Sequence, residues 1–399
     1  MSADDRNNLL SSIVEEVKEC RHELHQHPGT SYEEFYASDL IARKLTEWGI
    51  KFERGWAGTG IVATIEGQKT DSGKRIGIRA DIDALDITET SGQPWASTVP
   101  GKMHACGHDG HTSIVLGVAR YLQETKNFNG TAHLFFQPAE EGDGGAIKMI
   151  AEGLFDKYPV DSVYGIHNWP PIPIGKYSTR KGPLMAGTAY IEIRISGKGG
   201  HAAKPNSAID PVVIGAETVL ALQTIVSRSL NPFDKAVISI TNFNAGTGAN
   251  NVIPESAVMF GTARAFTNEI HAKIEQRMRE ITSGIAAAHG ARIEVIYRRG
   301  YNPVVNHDAE TEFCATVARD IFGPENVTLD GEQSMGGEDF GAMLEEKPGC
   351  FAFLGQALPG AASCPHNHSV HHPAYDFNDA LLPLGIRYFT QITERKMKL

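Results

Sequence analysis

An α/β fold with a smaller α+β domain inserted into it follows from three observations. Helical and strand-like segments alternate through the first part of the chain, and three of its strands end in clusters of carboxylate or imidazole side chains. The middle of the chain reads β-α-β-β-α-β within about a hundred residues, the ferredoxin-like order and the size of a small domain. Helix and strand alternation then resumes. The larger domain is therefore split, 1–186 and 299–399, around an insertion at 187–298.

Leu9 to His25 carries Leu10, Ile13, Val14, Val17 and Leu24 at helical spacing and stops at His27-Pro28-Gly29. Arg21, His22, His25 and His27 at its end read as polar and cationic groups favoured by a helix C-terminus. A second helix runs from Ser31 to Trp48. Ile61 to Ile65 and Arg75 to Arg79 are strands, and the second leads into Ala80-Asp81-Ile82-Asp83. Ligands bind at such strand ends in open α/β sheets, so Asp83 is a candidate to orient a ligand or touch a metal, with a solvated acidic turn as the plain alternative.

The loop Met103 to Thr112 holds Cys106, His108, Asp109 and His111 around two glycines. Cys106 and His108 are two apart, so in extended chain both reach the same side, and thiolate with imidazole suits zinc or a similar first-row ion. A buried cysteine beside a helix-capping Asp109 is the competing account. The strand Thr131 to Gln137 ends at Glu140-Glu141, two carboxylates that can divide between holding a cation and serving as general base. Asp161 to Ile166 ends at His167. Cys106, His108, Glu141 and His167 thus converge from separate strand ends.

In the insertion, strands at Tyr190–Ile195, Val237–Phe243, Ser256–Arg264 and Arg292–Tyr297 alternate with helices at Ile209–Val226 and Asn268–His289. Its first loop carries His201, by chemistry alone an ordinary loop histidine. Beyond it, Ala309 to Phe322 is helical, Gly336 to Phe340 opens another helix, and Cys350 to Gly355 is a buried strand. His366, His368, His371 and His372 come next, and one of the last pair is expected to complete the coordination.

The formal charge of −11 and the absence of a basic run argue against nucleic acid and anionic membranes as partners. No apolar stretch reaches the ~20 residues of a membrane span, and the first residues lack a basic and then apolar leader, so the expected location is the cytoplasm. Five scattered cysteines read as reduced thiols.

Taken together, Arg79-Ala80-Asp81-Ile82-Asp83, the Met103–His111 loop, Gln137-Pro138-Ala139-Glu140-Glu141, Gly165-Ile166-His167-Asn168, Gly199-Gly200-His201-Ala202, Asn251-Val252-Ile253-Pro254 and His371-His372-Pro373 resemble the dinuclear metallo-amidohydrolases of the aminoacylase and glutamate-carboxypeptidase superfamily, in the hippurate hydrolase and auxin-conjugate amidohydrolase branch. The resemblance implies a zinc-aminopeptidase-like mixed sheet flanked by helices, with the insertion as a lid and dimerisation domain. It implies two divalent ions (Zn, Mn or Ni) on Cys106, His108, Glu141, His167 and His371, with Glu140 as base, and Asp83 is counted with Glu140 among the catalytic candidates. His201 would stabilise an oxyanion, and Asn251 and Arg264 would meet the substrate. Asp81 stands where many relatives have a metal-binding histidine, and His108 is expected to take over that duty. The implied activity is hydrolysis of the amide bond of small N-acyl amino acids by a homodimer or homotetramer. A dipeptidase or carboxypeptidase, or a deacetylase of the N-acetyl-diaminopimelate type, are the enzymatic rivals, and a metal-binding protein without turnover is the rival from another class.

Overall fold

The computed structural model describes residues 3–142, 144–360 and 364–399. It falls into two units, one of Met1–Leu184, Val304–Glu332 and Asp339–Leu399, the other of Met185–Pro303 and Gln333–Glu338. In chain order the first unit begins with α1 (Ala3–Gln26), α2 (Phe35–Glu47), β1 (Lys51–Trp56), β2 (Gly60–Glu66), β3 (Arg75–Asp81), α3 (His108–Thr125), β4 (Thr131–Gln137), α4 (Gly145–Ala151), α5 (Leu154–Lys157) and β5 (Ser162–Pro173). After β6 (Tyr177–Ser178) and β7 (Gly182–Met185) the second unit holds β8 (Gly187–Ser196), β9 (Gly200–His201), α6 (Pro211–Thr224), β10 (Ala236–Ala245), β11 (Val252–Ile253), β12 (Ser256–Ala265), α7 (Asn268–His289) and β13 (Arg292–Arg299). The first unit resumes with β14 (Val304–Asn306), α8 (Asp308–Phe322), β15 (Val327–Thr328), α9 (Phe340–Glu346), β16 (Gly349–Ala357) and α10 (Leu381–Lys396).

The division lies a few residues outside the insertion bounds read from the sequence, because β7 and β14 pair with each other and close the gap between the two halves of the first unit. Residues 333–338 join the second unit through backbone and side-chain bonds, Ala186 N to Ser334 O at 3.0 Å and Lys235 Nζ to Gln333 Oε1 at 2.9 Å.

The first unit is built on an eight-stranded mixed sheet in the order β1-β2-β4-β3-β5-β16-β6-β15. Its centre, β4-β3-β5-β16, is parallel. These strands are buried on both faces and read as near-continuous apolar runs, as parallel strands under helices do. Register places Asp81 opposite Gln137, and the pairing of Ile78 with Tyr164 carries His167 to the same level. One edge of the sheet therefore gathers the loops leaving β3 and β4 together with the middle of β5. On one face α3 and α10 cross closely, because Gly117 meets Ile386 and Gly385 meets Ile114 where any side chain would collide. Besides short helices and strands such as α4, α5, β6, β7, β14 and β15, two longer elements of this unit escaped the sequence reading. β1 is a polar, largely exposed edge strand with no alternation to mark it, and α10 lies beyond the last motif.

The second unit has the antiparallel order β10-β12-β8-β13, the ferredoxin-like arrangement. Ile191, Ile193 and Ile195 alternate inward from β8 onto Ile214 and Leu222 of α6 and Ile274 and Met278 of α7. Contrary to the sequence expectation, Pro211–Ser229 is long and apolar enough by composition to cross a membrane. Here Ile214, Leu222 and Ile225 of that stretch pack into the core of the unit.

Candidate metal centre

The loop before α3 turns at Gly107, whose φ of +91° is the left-handed region, and a Cβ there would lie 2.4 Å from Asn168 Oδ1 and 2.6 Å from Tyr375 OH. Only glycine permits this approach, and it delivers Cys106 and His108 to the sheet edge. Cys106 Sγ lies 3.3 Å from His167 Nε2. His108 Nδ1 donates to Asp83, 2.9 Å from its carbonyl and 3.2 Å from its carboxylate, which leaves Nε2 as the nitrogen free to bind. Asp83 also accepts from the amide of Glu141 at 3.0 Å. Its place is thus that of a residue that orients two others.

Four groups of ligand-type atoms in the first unit, each within 4.8 Å of one another, occupy this edge: Cys106 with His108 and His167, Cys106 with Glu141 and His371, His108 with Glu140 and Glu141, and Asp81 with His108 and His111. Cys106 is common to the first two. His371, held at φ +68° with its amide on Ala105 O at 2.8 Å, puts Nε2 3.1 Å from Glu141 Oε1. His372 instead stacks on His368 with ring centroids 4.2 Å apart, so of the terminal pair it is His371 that reaches the group. His366 bonds the carbonyl of Asp376 at 3.1 Å.

The electrostatics call for a cation. Burial, followed by the carboxylates of Glu141 and Glu140, pushes the Cys106 thiol well above its usual range. His108 Nε2 is buried without a hydrogen bond. A divalent ion would turn each of these costs into a bond, and soft sulfur with imidazole nitrogen suits zinc or a neighbouring transition metal.

A buried polar chain that the sequence did not disclose lies behind the edge. His111 Nδ1 bonds Asp81 Oδ1 at 2.6 Å and its Nε2 lies 2.7 Å from Asn168 Oδ1, while Asn168 Nδ2 donates to Tyr375 OH at 2.7 Å. Arg79 bonds Asp81 at 2.7 Å and Asp339 at 2.9 Å. Burial disfavours the Asp81 anion, but His108, Arg79 and His111 more than reverse this and hold its pKa well down. Asp81 is therefore engaged on several sides, although Oδ2 is still 3.7 Å from His108 Nε2. The helix-end reading of Arg21 and His25 is corrected: both are fully buried, Arg21 on Asp376 at 3.0 Å and Asp379 at 2.8 Å, His25 on Asp109 at 2.8 Å and Glu89 at 3.2 Å. Their partners lie more than sixty positions away in the chain, so no local pattern announces them.

Three predicted residues belong to the second unit. His201 pairs with Val252 across β9 and β11, so it lies beside Asn251, whose carbonyl accepts from Ala202 at 2.9 Å. The His201 ring is exposed and its Nδ1 accepts from Ala203 N at 3.1 Å. Arg264 is at the other end of the sheet, opposite Thr188, whereas β12 starts next to His201's strand with Ser256 opposite Ser196. At a strand rise of about 3.4 Å, roughly 25 Å of β12 separates them.

The description Peptidase family M20/M25/M40 matches residues 77–395. The chain belongs to this family. Among similar proteins, hippurate hydrolase of Campylobacter jejuni is 37% identical over 98% of this chain and 100% of its own length. N-acetyl-L-cysteine deacetylase of Bacillus subtilis is 38% identical, covering 97% of this chain and 89% of that one. Among solved structures, the M20 protein YXEP of Bacillus subtilis, described as a dinuclear metal binding peptidase, superimposes with a TM-score of 0.82 at 34% identity, covering 97% of this chain and 99% of that one.

Proposed function

We propose that this M20 chain hydrolyses the amide bond of N-acyl amino acids, releasing a carboxylic acid and an amino acid, with two divalent cations held by Cys106, His108, Glu141, His167 and His371. The observation that carries the reading is Cys106, shared between two ligand groups directly beside the Glu140-Glu141 pair. The M20 relatives named for hydrolysis of hippurate and deacetylation of N-acetyl-L-cysteine support the substrate class.

When bound, the cations would supply Lewis acidity toward the amide carbonyl and lower the pKa of the attacking water. Glu140 takes the proton of that water and returns it to the leaving nitrogen. Asp83 fixes the His108 ring and the Glu141 backbone, so that both are aligned before substrate arrives. With Nδ1 of His201 committed as an acceptor, Nε2 carries the proton and is the donor available to a developing oxyanion. Asn251 beside it is the proposed contact to the substrate carboxylate, whereas Arg264, roughly 25 Å along β12, is out of reach of the same small molecule within one chain. The second unit acts as the lid and as the contact between subunits: Val212, Val213 and Leu220 of α6 are exposed beside the edge strand β10. The cytoplasm is the proposed location.

Incubation with N-benzoylglycine, N-acetyl amino acids and free dipeptides, before and after dialysis against a chelator, tests the reading. Hydrolysis of the acylated compounds is expected, lost with the metal and restored by zinc, manganese or nickel. Full activity in metal-free protein, or turnover of dipeptides alone, would refute it.

A further inference from the structure

Glu34 is a fully buried carboxylate in the residue before α2, far in sequence from every metal-ligating residue. Its Oε1 accepts the amide of Ala139 at 2.9 Å and that of Tyr32 at 2.9 Å, and its Oε2 accepts from Thr59 Oγ1 at 2.6 Å. Ala139 and Tyr32 are both non-glycine residues in the left-handed region, at φ +54° and +64°. One carboxylate oxygen thus holds two unfavourable backbone conformations, each of which persists only where surrounding structure enforces it. Ala139 immediately precedes Glu140.

We infer that Glu34 is a positioning residue for the proposed base: by fixing the left-handed turn at Ala139 it sets the direction in which the Glu140 carboxylate leaves β4. Glu141 has its own anchor, because its amide donates to Asp83 at 3.0 Å. Glu140 has a tight turn on its far side, with Gly142 N on its carbonyl at 2.7 Å, and Gly145 N binds the Ala139 carbonyl at 3.0 Å. Removing Glu34 therefore takes away the hydrogen bond on the Ala139 amide, next to Glu140, and leaves the Glu141 amide tied. The expected consequence is loss of proton transfer with retention of metal.

This rests on the proposed hydrolysis, and the test separates the two. Glu34→Ala is expected to lower kcat by about 10–100-fold, the scale of a misplacement near 1 Å, with KM and bound metal close to the parent. Glu34→Gln should restore most of the rate, since its carbonyl can take both amides and its NH2 can donate to Thr59. Adding Ala139→Gly to Glu34→Ala should recover part of kcat, because glycine adopts positive φ without the strain the carboxylate offsets. If Glu34→Ala does not accumulate as folded protein, Glu34→Asp, with and without Ala139→Gly, carries the same comparison with the reach shortened. Unchanged kcat per folded molecule, no gain from Ala139→Gly, or metal lost in step with kcat would each overturn the assignment. A crystal structure of the Glu34 variant needs no turnover: a displaced Glu140 beside an unmoved Glu141 is expected, and an unmoved Glu140 refutes the inference even if the parent hydrolyses none of the substrates offered.

Discussion

Asp83→Ala removes the carboxylate acceptor for His108 Nδ1 and for the Glu141 amide, together with a long 3.5 Å bond from Ser31 Oγ. Neither His108 nor Glu141 is itself altered, so the effect on the cations passes through their orientation and through the loss of a buried negative charge beside them. Loss of such a supporting carboxylate typically costs 10–100-fold in metal affinity, about 1.4–2.7 kcal/mol. Two ligands depend on Asp83 here, which puts the expected loss toward the upper end. The carbonyl of Asp83 also accepts from His108 at 2.9 Å and survives the substitution, which keeps the effect from exceeding that range. Metal affinity is read by competition with a chromophoric chelator on metal-free protein, alongside a melting curve to confirm folding. Asp83→Asn should fall between parent and alanine variant, since its carbonyl oxygen keeps one of the two bonds. If Asp83→Ala binds both cations as tightly as the parent while losing activity, Asp83 acts on substrate or proton transfer and the positioning argument fails.

Glu140→Gln should keep both metals and lose about 10²–10⁴ in kcat, because an amide cannot accept the proton, whereas Glu141→Gln should lose metal; equal metal content and comparable activity in both would make the pair a mere acidic turn. His201→Ala is expected to lower kcat by roughly 10²–10³ without changing metal content, and activity regained on mixing it with Glu140→Gln protein would place His201 in a partner's site. Burial opposes a charged His25, but Asp109 and then Glu89 outweigh it and raise its pKa from 6.5 to about 9. A raised folded-state value means that this stabilisation is complete below about pH 6.5 and disappears as pH rises through about 9. Melting temperature should decline across that window in the parent and stay flatter in His25→Gln; parallel profiles would show that the ring does not titrate there.

What the sequence disclosed was whatever leaves a local mark. Cys106 and His108 share a side of one short loop, and Glu140-Glu141 and His167 come after recognisable strands, so each was visible within a few residues of chain. Glu34 was invisible, being one acidic residue at the start of an amphipathic helix, and its meaning comes from an amide 105 positions away. The same holds for Arg21, whose partners Asp376 and Asp379 are 355 and 358 positions distant. Asp81 shows the intermediate case: sequence could say that it departs from a common pattern, but only packing reveals Arg79 and His111 gripping it from both sides. Backbone register explains His167, since β5 runs on to Pro173 and the histidine is aligned with Asp81 by its neighbour rather than by the end of its own strand.

The discontinuity of the larger sheet bears on how the chain can be made. A ribosome releases all four strands of the inserted sheet by Arg299, before β16 exists, although β16 sits between β5 and β6 in the finished larger sheet. The inserted unit can therefore complete its strand pairing during synthesis, while β5 waits with one edge unpaired. His371 and the α10 helix that packs across α3 emerge later still. A nascent or C-terminally truncated chain consequently holds Cys106 and Glu141 without His371, so the ligand group those three form assembles only after that histidine has been made.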